Sequence, residues 1–228
     1  MQPSAICVWG DSIAKGVVYD ESRKRYAILK EHCLRLLEQE VQLPIYNHAV
    51  MGRTAPECLA SMQKEDLVPG GIAIIEFGGN DCDLCWADVA KDPAHEHPAR
   101  ASIAQFKESL KGLVDFARKG GMKPVLVSIL PIDGERYFKW VSRGLDQNAI
   151  LSYLGEPQMM YRWQERYACA VQDVAREENV RLLDFRSEFL CDRQFRHYYC
   201  DDGIHPNALG HRKLFECAMS AVKEYLIE

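Results

Sequence analysis

Four short stretches of this chain hold residue types that do chemistry. They are Gly10-Asp11-Ser12, the Gly52 of NHAVMGRT, Gly78-Gly79-Asn80-Asp81, and Asp202-Gly203-Ile204-His205. A serine hydroxyl is a poor nucleophile until a base removes its proton. An imidazole suits that task, because its unperturbed pKa of ~6.5 lies near working pH. An acid three residues before the histidine can reach the ring's other nitrogen within one turn. Asp202 has this spacing to His205, with Asp201 as a rival. The side-chain amide of Asn80, and the N–H of Gly52, which an acyl oxygen can approach where no Cβ intervenes, are candidate donors to a developing oxyanion. The set is the parts list of acyl transfer. Taken singly, each stretch is weak: Ser12 reads as a turn or helix cap, Asn80-Asp81 and Gly52 as turn residues.

The elements that must position these groups follow from hydrophobic periodicity. Apolar stretches at 5–9, 43–50, 71–77, 124–130 and 180–185 read as strands. The third is almost wholly apolar, as in a strand buried on both faces of a parallel sheet. Helical spacing appears over 25–37, over 103–117 up to Gly120-Gly121, over 160–174 and over 214–225 with Asn207 as cap. Thr54 to Glu57 resembles a capping box opening another helix. Strand and helix alternate, which predicts an α/β fold with a parallel sheet covered on both faces. Residues 81–98 and 131–156 are long and irregular and follow strands. They are expected at the carboxyl edge of the sheet, where ligands bind in this architecture, and where all four stretches converge. No repeat, low-complexity tract or linker divides the chain, so 1–228 reads as one domain.

These blocks, in this order, resemble the SGNH hydrolase (GDSL-type) esterase/lipase family. Gly10-Asp11-Ser12 is similar to its first block, Gly52 to the glycine of the second, Gly78-Gly79-Asn80-Asp81 to G-x-N-D, and Asp202-Gly203-Ile204-His205 to D-x-x-H. The resemblance runs from Gly10 to His205. It implies a three-layer α/β/α, flavodoxin-like fold with a five-stranded parallel sheet, and hydrolysis of esters or thioesters with no cofactor and no metal. It implies Ser12 as nucleophile, His205 as base and Asp202 as its orienter. The implied oxyanion donors are the Ser12 N–H, the Gly52 N–H and the Asn80 amide. Ile13 departs mildly from the family's usual residue after the serine. Ala14 stands where the G-x-S-x-G elbow of an α/β-hydrolase has its second glycine, which argues against that other fold.

Composition narrows the class. The 228 residues are 47% hydrophobic and carry a net charge of −5. A pI near 5.8 lacks the basic footprint of a nucleic-acid binder. No apolar run reaches the ~18 residues of a membrane span, and the N-terminus does not read as a signal peptide. The nine cysteines are odd in number and lie mostly in expected helices and strands, which fits reduced core thiols and a cytoplasmic location. Cys82, Cys85, His95 and His97 form the one competing constellation, a zinc site, but the histidines are one residue apart rather than ~3–5. GDSIAKG lacks the G-K-[ST] ending of a phosphate loop. His211 is expected on the surface or in a cap, and His48 at a strand edge. Trp86, Tyr137, Phe138 and Trp140 either stack on substrate or pin the two long segments. The reading is a serine hydrolase of carboxylic esters, with a small or short-chain acyl group such as a sugar O-acetyl ester. An acyl-CoA thioesterase or lysophospholipase is the alternative among enzymes, and a flavodoxin-like small-ligand binding module the alternative outside them. The oligomeric state is not legible.

Overall fold

In β1 (Ile6–Gly10), alternate side chains enter two different cores. Ile6 and Val8 pack on one side of the sheet, Cys7 and Trp9 on the other, and all five residues are buried. A strand buried on both faces belongs in a sheet interior. In the computed structural model, which describes residues 3–62, 65 and 67–227, β1 pairs in parallel with β4 (Ile45–Asn47) and β5 (Ile72–Glu76); Val8 lies opposite Asn47 and Ile74. Beyond β5 come β6 (Lys123–Val127) and β7 (Arg181–Leu183), also parallel, giving the order β4-β1-β5-β6-β7. Counting only these five strands, the order is the 2-1-3-4-5 of a flavodoxin-like sheet. The topology turns between β1 and β5, whose carboxyl ends run into Ser12 and Asn80.

The larger core lies on the Cys7/Trp9 face, under α3 (Ala55–Met62), α5 (Ile103–Lys119) and α8 (Gln158–Glu177). α5 presents Phe106, Leu110, Leu113 and Val114 at helical spacing, each buried to 1% exposure or less. Burial of such a side chain stabilises by ~1.5–3 kcal/mol, so Leu113→Ala is expected to cost ~2–5 kcal/mol. Ser102 and Gln105 close a capping box at the start of α5, and Gly121 leaves its far end at φ +73°. α2 (Cys33–Glu40) and α10 (Ala208–Ile227) lie together on the opposite face, and the side chain of Asn207 accepts from the N–H groups of Leu209 and Gly210 at the head of α10. At α3 the Glu57 carboxylate reaches back to the Thr54 N–H at 2.8 Å.

Two expectations need correction. The helix expected over 25–37 begins only at Cys33. Its first part is β3 (Arg25–Ile28), paired antiparallel with β2 (Val17–Asp20). The short α1 (Ser12–Lys15) leads into this hairpin. The Asp20 carboxylate accepts from the Ser22 and Arg23 N–H groups and makes the turn, a local bond that competes with helix formation. Of the segments expected to be irregular, 131–156 is largely helical and 81–98 carries one short helix. They contain α4 (Trp86–Lys91), α6 (Gly134–Val141) and α7 (Gln147–Leu154). Asp133 and Asp146 cap α6 and α7. Helices of two turns give too few repeats for periodicity to register. With Leu84, Val89, Phe138 and Ile150 they form a small core of their own beside the carboxyl edge of the sheet. α9 (Phe185–Leu190) follows β7.

Candidate active site

The last of the four stretches is a tight turn. The Asp202 Oδ1 accepts from the N–H groups of Ile204 and His205, at 3.1 and 3.0 Å. Gly203 sits between them at φ +75°, where a Cβ would meet the Asp133 carbonyl at 2.7 Å. The turn turns Asp202 Oδ2 onto His205, whose Nδ1 donates to it at 2.6 Å. That bond assigns the hydrogen to Nδ1 and leaves Nε2 as acceptor. The Ser12 Oγ donates to Nε2 at 2.9 Å, across 193 residues of sequence. Ser12, Asp202 and His205 are all buried. Burial works against an ionised Asp202, but the His205 side chain and the two backbone donors outweigh it and hold its carboxyl below the usual range. Asp201, the rival, is exposed.

On the other side of Ser12 lie the expected oxyanion donors. Among the described residues, no intramolecular hydrogen bond occupies the N–H of Ser12 or of Gly52. Gly52 adopts φ +79°, and a Cβ there would meet nothing within 4 Å. Glycine suits this backbone conformation, and no neighbouring protein atom stands where a Cβ would lie. Arg100 Nη1 donates to the Gly52 carbonyl at 2.9 Å and fixes this loop. The Asn80 Nδ2 donates to Asp11 Oδ2 at 2.9 Å, while Asp11 Oδ1 accepts from Ile13 N–H. Asp11 is in turn beside Glu76, whose carboxylate accepts from the Asp11 N–H at 3.4 Å. Both acids are buried, and burial pushes both carboxyls up; the proximity of Asp11 adds to the rise at Glu76. Asp81 accepts from Ala55 N–H at 2.9 Å and is fully buried, which pushes its carboxyl up to about 7.

Ser12, Gly52, Asn80 and His205 open on one cavity of about 580 Å³. Its walls include Leu84, Ile129, Leu130, Ile132 and Met160, with Trp86 and Trp163. The segments after β5 and β6 therefore line the site, as expected of them. Of their aromatic residues, Phe138 is core, whereas Trp86 Nε1 and Tyr137 Oη both donate to Asp83 Oδ1, at 2.9 and 2.6 Å. Trp140 is turned away, toward the β2–β3 hairpin. A buried arginine holds the floor: Arg186 donates to the Ile129 carbonyl at 2.9 Å and to Gln164 Oε1 at 3.1 Å, and Gln164 donates to the Leu130 carbonyl at 2.6 Å.

The competing constellation does not gather. Cys82 is buried with its thiol donating to the Gly79 carbonyl, and Cys85 is exposed. His95 pairs with Asp92, and the His97 ring meets the Asp92 carbonyl. Among the described residues no group of three or more His, Cys, Asp or Glu is arranged to hold a metal ion. His48 stacks on Trp9 with ring centroids 4.9 Å apart, and both contact Glu65. His211 is not a surface residue: it is fully buried, with its ring 6.3 Å from that of His32. Burial and the neighbouring histidines push it down to about 4.

A family model, that of the GDSL-like lipase/acylhydrolase family, matches residues 8–213. The chain belongs to this family. As a GDSL-like acylhydrolase it is similar in fold to a lipase/acylhydrolase from Enterococcus faecalis, with a TM-score of 0.66, 18% identity, and 97% of this chain and 96% of the other covered. It is similar also to the psychrotrophic esterase EstA from Pseudoalteromonas sp., with a TM-score of 0.60, 15% identity, and 99% and 100% covered. Among curated proteins it is 26% identical over 190 residues to the uncharacterized lipoprotein YqeF of Bacillus subtilis (strain 168), covering 81% of this chain and 72% of that one. Within this GDSL-like fold, sequence reasoning named Asp11 only as part of a block. It gave no role to Glu76 or Arg186. Glu76 did carry a signal, as the lone acid in an otherwise apolar strand.

Proposed function

We propose that this GDSL-like hydrolase cleaves carboxylic esters through an acyl-enzyme formed on Ser12. The observation that carries the reading is the unbroken chain from Ser12 Oγ to His205 to Asp202. His205 Nε2 takes the hydroxyl proton as Oγ attacks the ester carbonyl. Asp202 stabilises the resulting imidazolium. The negative charge on the former carbonyl oxygen is met by the N–H groups of Ser12 and Gly52 and by the Asn80 amide. His205 then passes its proton to the departing alkoxide, which leaves as alcohol. Water repeats the sequence: His205 removes its proton, hydroxide attacks the acyl carbon, and Ser12 leaves with the proton returned. No cofactor enters these steps.

The cavity supports an ester with an apolar group. Its aliphatic walls offer room well beyond an acetyl group, while Asp83, Glu96, His97 and Arg166 line its polar part. Trp86 and Trp163 are the features that favour a sugar O-acetyl ester. All nine cysteines are free, which supports a reducing compartment. The test is labelling by a fluorophosphonate probe, expected in the parent and lost in Ser12→Ala, with that variant still folded. A nitrophenyl ester series from acetyl to decanoyl, beside acetylated sugars and acyl-CoAs, then ranks the substrates, with a maximum expected beyond acetyl. Absence of labelling and of turnover would return the chain to the binding-module reading.

A further inference from the structure

The β2–β3 hairpin projects from the chain directly after the nucleophile segment, and it makes its own small sheet apart from the main one. The Leu29 N–H closes its base on the Gly16 carbonyl at 2.9 Å. Its first strand is tied to the loop that carries the catalytic histidine: Tyr19 N–H donates to Cys200 Sγ at 3.4 Å. Across the ladder Tyr19 faces Tyr26. Their rings meet edge to face at 5.4 Å, and the Trp140 ring of α6 stands edge-on to Tyr19 at 4.5 Å. The guanidinium of Arg143 lies over Trp140 at 3.8 Å and holds it in turn. At the end of this aromatic stack, Tyr26 lies against the His205 ring, with centroids 5.0 Å apart and planes inclined at 56°.

Tyr26 does not line the substrate cavity, whereas His205 does. The tyrosine therefore covers the imidazole from another side. Its ring is half-buried. Nothing in acyl transfer needs a tyrosine here as a reagent. What the reaction does need is a histidine confined to one orientation and a dry contact between Nδ1 and the carboxylate, because an ion pair weakens as water enters. The Asp202 bond fixes one edge of the imidazole but does not prevent the ring from tilting about it.

On these contacts we infer that Tyr26 is a positioning residue: backed by Tyr19 and Trp140, it clamps the His205 ring and shields the His205–Asp202 bond from water. The inference rests on the acyl-enzyme reading of the same site. It assigns the hairpin a task in catalysis, through the base and not through substrate.

The test compares Tyr26→Ala and Tyr26→Phe with the parent in the full chain. The readouts are kcat and KM on the best nitrophenyl ester, the rate of fluorophosphonate labelling, and the low-field proton resonance of His205 Nδ1–H, identified by its loss in His205→Gln. In Tyr26→Ala, kcat and the labelling rate are expected to fall at least tenfold with KM within about twofold, and the resonance to broaden by exchange with water. Tyr26→Phe keeps the ring and is expected to return kcat to within about threefold of the parent, with the resonance retained. Parent-like kcat and a sharp resonance in Tyr26→Ala overturn the inference, as does a loss confined to KM. Should Tyr26→Ala not fold, Trp140→Ala removes the backing without touching the triad; a lowered kcat and a broadened resonance support the clamp, and parent-like values of both overturn it. A parent that neither labels nor turns over ester fails the acyl-enzyme reading itself. A parent that does both, beside a variant that matches it, fails this inference alone.

Discussion

Asn80 donates one amide hydrogen to Asp11 at 2.9 Å, which leaves the second hydrogen of the same nitrogen free for an oxyanion. Under the proposed mechanism Asp11 would act on catalysis through Asn80, although it lies next to Ser12 in sequence. Asn80→Ala is expected to lower kcat by ~10²–10³, the usual loss for one oxyanion donor, with a smaller effect on KM. Asp11→Asn should lower kcat less. The double substitution should be no worse than Asn80→Ala alone, since the two act as a unit. Additive losses in steady-state kinetics would show that Asp11 has a separate role.

The two acids before His205 part company in the structure, and their asparagine variants should do the same. Asp202→Asn keeps the shape of the turn but removes the charge that stabilises the imidazolium, so the plateau of kcat/KM should fall by orders of magnitude. Asp201→Asn, at an exposed carboxyl, should leave the plateau in place. A profile that follows Asp201 instead would reassign the orienter.

His211 predicts how stability depends on pH. Its folded-state pKa is pushed down to about 4, below the ~6.5 of an unfolded chain. Between these values the unfolded chain binds the proton and the folded one does not. The stabilisation is thus complete above pH ~6.5, and declines as pH falls toward 4. At pH 5 the loss from this one group is about 2 kcal/mol. His211→Phe should lose less stability between pH 7.5 and pH 5 than the parent in denaturant titrations. An unchanged difference between the two pH values would contradict the assignment.

Exhaustive chelation should leave ester turnover unaltered. Cys82 and Cys85 differ in burial, and His95 and His97 are both engaged at Asp92. The check is metal analysis of the purified protein beside an assay before and after chelation. Stoichiometric zinc lost together with activity would revive that constellation.

The sheet was legible because its strands are buried on both faces and so nearly continuous in apolar residues, as in β5. Ser12, Asn80, Asp202 and His205 were legible because strand ends of a parallel sheet face one edge, so residue type and order already implied convergence. Gly52 was legible as the glycine of the second block, whereas its positive φ was not. The β2–β3 hairpin was hidden by Tyr26, which fits a helical stripe with Leu29 and Cys33 as well as it fits a strand. His211 was misplaced because a polar side chain on a helix reads as exposed unless the packing partner is known. Here that partner is His32, 179 positions away in the numbering. Arg186 and the pairing of Asp11 with Glu76 depend on contacts between distant elements, which periodicity does not encode.

The bond between Ser12 and His205 joins the first strand's exit to the entrance of the last helix. Little of the chain lies outside that span. During synthesis, Ser12 therefore waits for the 193 positions that separate it from His205 before the proposed base can reach it. The same closure works in reverse: any opening that lifts α10 with the Asp202–His205 turn silences the enzyme before the sheet itself is disturbed. Turnover thus reports the docking of the two ends of the fold, and activity should vanish at lower denaturant than the far-ultraviolet signal of the central strands and helices.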